Sequence, residues 1–302
     1  MSVRFTPPFP RPHVSKSSVL LRFVRGWNSW IHVLFEKSYT MKMGEIHTPA
    51  LSYYIANELP LVRRIMDTDA ALFPKHRHQR ELLDPLIGGS VFSANGQDWA
   101  DQREMVHPAF GHTALKRVFP LMAAAVDDLV ERLRGAAAAG PIAIDPFMTH
   151  VAADIIYRTL FSERLGLADG REIHDAFHAY QRNAQRAWLL RLYRLPQLGF
   201  DRRARRAARR IHAVFEPLVL ARHAGRDGRR EDILQALIDA RHPRTGAAFT
   251  PVELMEQVST IFLAGHETAA SAMTWALYLA ARDGPTQDAI RAETTAAAGV
   301  GT

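Results

Sequence analysis

Three features of the sequence predict a mainly α-helical protein with a small β-sheet near its N-terminus. From Gln97 onward, apolar residues recur at helical spacing with little interruption. Glycine and proline breaks divide that stretch into segments of ordinary helix length. Two short runs with strand character stand out, and both end before Asn57.

The elements follow in order. Pro7, Pro8, Pro10 and Pro12 make the opening an irregular lead-in. Phe23, Trp27, Trp30, Ile31 and Leu34 then outline one face of an amphipathic helix, suited to packing on the core or to lying at a membrane interface. Packing is the simpler expectation. The surrounding stretch, 19–35, is interrupted by Arg22, Arg25, Asn28, Ser29 and His32, so no transmembrane anchor is expected where a span needs roughly 20 apolar residues. No signal-peptide cleavage pattern follows. The runs 41–46 and 52–56 flank Thr48-Pro49 and predict a hairpin. Asn57 or Glu58 caps a short helix through Val62, Ile65 and Met66, with Pro60 in its first turn. Helices are expected over 109–134, 146–160, 171–193, 202–223 and 231–240. Thr250-Pro251 caps a long helix reaching about Arg282, Gly284-Pro285 ends it, and one more helix covers 286–298.

Composition narrows the function classes. A hydrophobic content of 47% with 23% charged residues supports a large core rather than disorder. The net charge of +7 suits an acidic partner: nucleic acid, an anionic membrane surface or an acidic electron carrier. The arginine-rich segments 202–210 and 226–230 lack an aromatic platform or a reading motif, so they read as solvated faces and no nucleic-acid partner is expected. The chain has no cysteine, which excludes disulfides and any thiolate metal site within it and suits a reducing, cytoplasmic location.

The richest stretch is Ile261-Phe262-Leu263-Ala264-Gly265-His266-Glu267-Thr268, inside the long helix. That helix is apolar nearly all round, which predicts a central, buried position. Gly265 carries a helix penalty of about 1 kcal/mol and needs a reason, either close packing or a flat ligand against the backbone. The small-residue pair is expected to open the helix at that point. Thr268 can bond back to the Ala264 carbonyl or release it to serve a ligand. A zinc-protease reading of His266-Glu267 fails because Ala270 stands where the second histidine belongs, so no metal ligands are assigned. Upstream, Trp99 and Arg103 lie four apart on one helix face. An indole N–H beside a guanidinium can grip a carboxylate, or the two can form an ordinary stack.

Together these segments resemble the cytochrome P450 family. Gly96-x-x-Trp99-x-x-x-Arg103, followed by His107-Pro108-Ala109-Phe110, is similar to that family's C helix, and 264–268 is similar to its oxygen-binding I-helix motif. The hairpin and the helix near 61–66 resemble its first sheet and B helix, so the resemblance covers about 40–292. It implies a haem cofactor held at a propionate by Trp99 and Arg103, with Ala264 and Gly265 lining its distal face. Glu267 and Thr268 are then the catalytic proton-handling pair, and Ile261 and Phe262 are candidates for the substrate wall, with plain core packing as the other reading. The implied activity is a haem-thiolate monooxygenase hydroxylating an apolar small molecule with dioxygen. Its electrons would come from a partner such as a ferredoxin or a flavodoxin/reductase.

Two departures qualify this. Ala269 stands where the family usually has a second Thr or Ser. No Glu-x-x-Arg or cysteine loop follows the I-helix motif, and the one Glu-x-x-Arg, at Glu131 and Arg134, lies upstream of it. The expectation is therefore a single incomplete P450 domain over 1–302, with 1–39 as lead-in and amphipathic helix and 40–302 as core. The C-terminal haem-ligand region is absent, and the chain is expected to be inactive as it stands. The alternative is a non-catalytic helical binding protein derived from the same scaffold.

Overall fold

A computed structural model of the chain describes positions 5, 6, 9 and 11–299; Pro7, Pro8 and Pro10 of the expected lead-in lie outside the described residues. After α1 (Val19–Gly26) come two 3-10 turns, Trp30–Val33 and Glu36–Tyr39. Strands β1 (Met43–His47) and β2 (Ser52–Ala56) pair antiparallel, with Met43 opposite Ala56 and His47 opposite Ser52. The Thr48 hydroxyl closes their turn by donating to the Leu51 carbonyl at 2.7 Å. The helices that follow are α2 (Leu59–Arg63), α3 (Arg77–Ile87), α4 (Gly96–Val106), α5 (His112–Ala137), α6 (Asp145–Phe161), α7 (Leu167–Leu192), α8 (Phe200–His223), α9 (Ile233–Asp239), α10 (Pro251–Arg282) and α11 (Gly284–Gly299). The molecule is mainly helical with a small two-stranded sheet, as the sequence predicts.

α3 has no counterpart in the sequence analysis. Its first turns are polar and Pro85 sits inside it, so periodicity is weak. Tertiary contacts sustain it, because Leu86 and Ile87 are buried in the main core. That core is built where α6, α8 and α10 meet. Phe161, Phe215 and Phe262 come one from each helix, with ring centroids 5.8 Å apart for Phe161–Phe215 and 4.9 Å for Phe215–Phe262. Full burial of each ring stabilises the fold by about 1.5–3 kcal/mol. α8 turns Ala204, Ala207, Ala208, Ile211, Phe215 and Val219 inward, which leaves its arginines on the solvated side except Arg222, which is buried near the helix end.

The start of α10 is a reciprocal cap. Thr250 Oγ1 accepts from the Glu253 amide at 3.3 Å and Glu253 Oε2 accepts from the Thr250 amide at 2.7 Å. Two expectations about this helix are corrected. It runs as one unbroken α-helix through 264–268, with no local opening. It is also buried only in part: 257–262 are enclosed, whereas Ala264, Thr268, Ala269, Ala272, Trp275 and Leu279 are exposed. Burial follows neighbours, since the stretch ahead of Ala264 is covered by α3, α6 and α8 and by the segment 89–93.

α1 also departs from the expected core-packed helix. Phe23 and Trp27 do dock, on Tyr193 at 4.8 Å and Phe200 at 6.0 Å. Leu20 is 74% exposed, however, and Arg22 is the buried side chain of this helix, with Nε and Nη1 left without a hydrogen bond. The helix ends at Gly26, so the aromatic face is split between α1 and the following 3-10 turn.

Candidate functional site

Trp99 and Arg103 lie where α4 faces solvent. The opposite side of α4 carries Asp101, which is buried and accepts from Arg244 Nε at 2.9 Å and from Gln97 Nε2 at 2.9 Å. Hydrogen bonds from Arg244 and Gln97 hold the Asp101 carboxyl below the usual carboxylate range. Asp101 thus anchors one face of α4 and turns the other outward. Trp99 is 43% exposed, and its ring stacks with the Lys75 ammonium at 5.9 Å rather than with Arg103. Lys75 Nζ also donates to the Ala94 carbonyl at 2.9 Å, tying it to the entry of α4. Arg103 is exposed and has no carboxylate partner among the described residues.

The second constellation presents two faces. Ala264 and Thr268 are exposed, one turn apart, and Thr268 Oγ1 donates to the Ala264 carbonyl at 2.8 Å. Gly265 faces α6: a Cβ there would lie 2.6 Å from Ile156 Cδ1, so the crossing of α6 and α10 accounts for the glycine. Ile261 and Phe262 are buried in the main core, where Phe262 packs on Phe215 and on His266 at 4.7 Å. Glu267 is partly exposed, with Oε2 3.9 Å from His266 Nε2. His266 itself is 2% exposed, and its Nδ1 hydrogen-bonds the Phe262 carbonyl at 2.9 Å. Burial pushes this imidazole below its ordinary 6.5, against the opposing pull of the Phe262 carbonyl and Glu267.

Side chains that sequence reasoning did not single out connect the two constellations. Gln257 Nε2 donates to Gln102 Oε1 at 2.7 Å, and Gln102 Nε2 donates to the Gly89 carbonyl at 2.9 Å. The Val91 amide donates to Gln257 Oε1 at 3.2 Å. Gln257, Ile261, Ala264 and Thr268 share one stripe of α10, because their spacings of four, three and four repeat at helical period. The stripe starts beneath α4, at the turn carrying Trp99 and Arg103, and emerges into the open at Ala264. About 10 Å of helix separates Gln257 from Ala264, at 1.5 Å per residue. The two glutamines are surface-type residues in an otherwise ordinary pattern, so no local signal marked them.

This surface suits part of a haem and not all of it. An exposed indole N–H and an unpaired guanidinium match a propionate carboxylate. The small Ala264 side chain and the Thr268 hydroxyl leave the adjoining helix face low and polar. A thiolate ligand for the iron has no source among the 302 residues, which include no cysteine. No helix among the described residues is long and apolar enough to cross a membrane.

Comparisons with known proteins fit this geometry. A family model described as Cytochrome P450 matches residues 21–301. The chain is similar to cyclooctatin synthase of Streptomyces melanosporofaciens, at 30% identity over 248 residues covering 80% of this chain and 52% of that protein. It is similar to cyclooctat-9-en-7-ol 5-monooxygenase of the same organism, at 29% identity with coverages of 75% and 48%. Cytochrome P450 4A24 of Sus scrofa matches at 29% identity, with coverages of 76% and 49%. The chain spans about half the length of the curated relatives it matches.

Proposed function

The chain belongs to the cytochrome P450 family, and from that premise we propose that it carries the propionate-binding and dioxygen-side elements of a haem-dependent monooxygenase. The observation that carries the reading is the stripe of α10 that runs from beneath Trp99 and Arg103, through the Gln102–Gln257 bond, to the exposed Ala264 and Thr268. Bound haem supplies the one-electron and dioxygen chemistry. Arg103 and Trp99 donate to a propionate and fix its orientation, while Ala264 keeps the helix surface low enough for close approach. Thr268 holds a proton at Oγ1, which it turns toward the ligand by releasing the Ala264 carbonyl. Glu267, partly exposed, takes protons from water and passes them toward that hydroxyl. Ile261 and Phe262 act on the substrate side through the packing of α10 rather than by an exposed wall. Gly265 serves the haem face by letting α10 seat closely on α6.

The substrate in this reading is an apolar small molecule, and the hydroxylase and monooxygenase names among the relatives support hydroxylation as the reaction. The electrons come from a ferredoxin or a flavodoxin/reductase, for which the basic balance of +7 supports an acidic docking partner. The cysteine-free composition supports a cytoplasmic setting. It also favours a second reading of the 302 residues by themselves, as a helical binding protein without redox activity.

Titrating the protein with haemin and following the Soret band separates the two. Saturable binding, weakened about ten-fold by Arg103→Leu through loss of a charged hydrogen bond, supports the first reading. Cooperative melting with no haemin binding supports the second. A thiolate-type ferrous–CO band from this cysteine-free chain would refute the ligand argument.

A further inference from the structure

On the side of α10 turned away from Ala264 and Thr268 lies a pocket of about 320 Å³. It is framed by α5, α6, α7 and α10, and His266, about 200° around the helix from Ala264, lines it. Its other polar lining comes from Arg132, Thr149, His150, Arg171 and His174, and no carboxylate among the described residues lines it. The gradient of exposure gives it a direction, from the solvent-exposed Arg171 to the buried His266.

The unmatched charge is the telling feature. Three other arginines shielded from solvent face carboxylates: Arg158 pairs with Asp128 and Asp154, Arg222 with Asp227 and Asp232, and Arg230 with Glu163 and Asp227, with Arg22 of α1 as the exception. Arg132 and Arg171 have no such partner among the described residues. Arg132 lies over the Phe147 ring at 5.6 Å, and Arg171 Nε donates to the Leu167 carbonyl at 3.3 Å. The histidines feel this field as well. Burial and then Arg132 push the His150 imidazole below its ordinary value against the pull of Asp154, and burial and then His178 do so for His174 against Asp175, Asp145 and Glu267. A cavity whose lining side chains are all cationic or neutral, with its carboxylate neighbours set behind the wall, favours an anion from outside.

We propose that this pocket binds a small organic carboxylate, its charge held by the forks of Arg132 and Arg171 and its body resting on Ala153, Ile173 and His266. The guanidinium fork matches a carboxylate bidentately. The volume lies at the low end of small-ligand sites, about 300–1,000 Å³, which suits a single-ring acid and leaves little room for a nucleotide. The site requires neither haem nor electron transfer, so it stands or falls separately from the proposed monooxygenase role.

Calorimetric titration of the 302-residue protein with sodium benzoate, at ionic strength fixed with sodium chloride, tests this. Saturable 1:1 binding is expected, weakened at least ten-fold by Arg171→Gln and by Arg132→Gln and unchanged by Arg209→Gln, on the exposed face of α8. Benzamide, the neutral isostere, is expected to bind at least ten-fold more weakly. Because Arg171 is exposed, Arg171→Gln decides the matter even if Arg132→Gln fails to fold. No saturable benzoate binding, equal binding of benzamide, or undiminished binding by Arg171→Gln overturns the proposal.

Discussion

His266 is a histidine made core-like by its surroundings. Its ring packs between Phe177 at 5.1 Å and Phe262 at 4.7 Å, and burial depresses its pKa below 6.5. His150 and His174 are depressed by burial in the same way. The unfolded chain therefore binds more protons than the native state as pH falls through and below 6.5, so stability drops with acid in that window and is fully present above it. Thermal melts between pH 8 and pH 5 should show Tm falling below about pH 6.5. His266→Leu, which keeps an apolar side chain against Phe177 and Phe262, should make that fall shallower. An acid limb of the same steepness in the variant would show that His266 does not contribute to it. The neighbouring Glu267 and Thr268 drew attention in the sequence by residue type alone. What type could not reveal is that Thr268 already spends its hydroxyl on the Ala264 carbonyl, so any ligand must compete with an existing bond.

Within α10 the balance between propensity and packing can be tested at Gly265. Replacing it by Ala gains about 1 kcal/mol of helix propensity. The new methyl, however, would lie 2.6 Å from Ile156 Cδ1 and 2.7 Å from Cγ1, so Ile156 must move, and overpacking of this kind costs about 1–3 kcal/mol. Chemical denaturation of Gly265→Ala should thus show a net loss of about 1 kcal/mol. Adding Ile156→Val removes the Cδ1 atom and should restore part of that loss, an interaction that simple additivity does not give. A neutral or stabilised Gly265→Ala would mean that α6 and α10 separate freely. The same crossing explains the unbroken path of α10, because it continues past Gly265 with its hydrogen-bond ladder intact. α1 teaches the converse. Its apolar pattern correctly marked a helix, yet Leu20 and Val24 face solvent while Arg22 is buried. Periodicity finds a helix and its stripe but does not identify the surface that stripe will meet.

Across the molecule, buried ion pairs join helices that hydrophobic contacts alone would leave free to slide. Arg158 Nη2 reaches Asp154 at 2.6 Å and Asp128 at 2.5 Å, while Asp154 Oδ1 accepts from the Leu165 amide at 2.8 Å, so α5, α6 and the entry to α7 share one network. Asp154→Ala leaves Arg158 with Asp128 as its remaining carboxylate and strips the Leu165 amide of its acceptor, and should cost about 1–3 kcal/mol in urea unfolding. A loss below 1 kcal/mol would show that water reaches Arg158 freely. A parallel network ties Arg222 to Asp232, whose Oδ2 also accepts from Ser162 at 2.9 Å. In the sequence these arginines were indistinguishable from the solvated ones on α8, since charge type does not record enclosure.

Hydrophobic period, proline and glycine punctuation and the Thr250–Glu253 cap were enough for the hairpin, the helices from α4 onward and the limits of α10. Each of those signals acts within a few residues of where it is read. The family was legible too, because Trp99–Arg103 and 264–268 are local motifs. Which side of each helix meets a neighbour depends on contacts between distant segments, and those emerged only once the chain was packed. Packing made Gly265 a seat for Ile156, set Gln102 against Gln257, left Arg132 and Arg171 without a carboxylate partner among the described residues, and exposed the stripe from Ala264 onward.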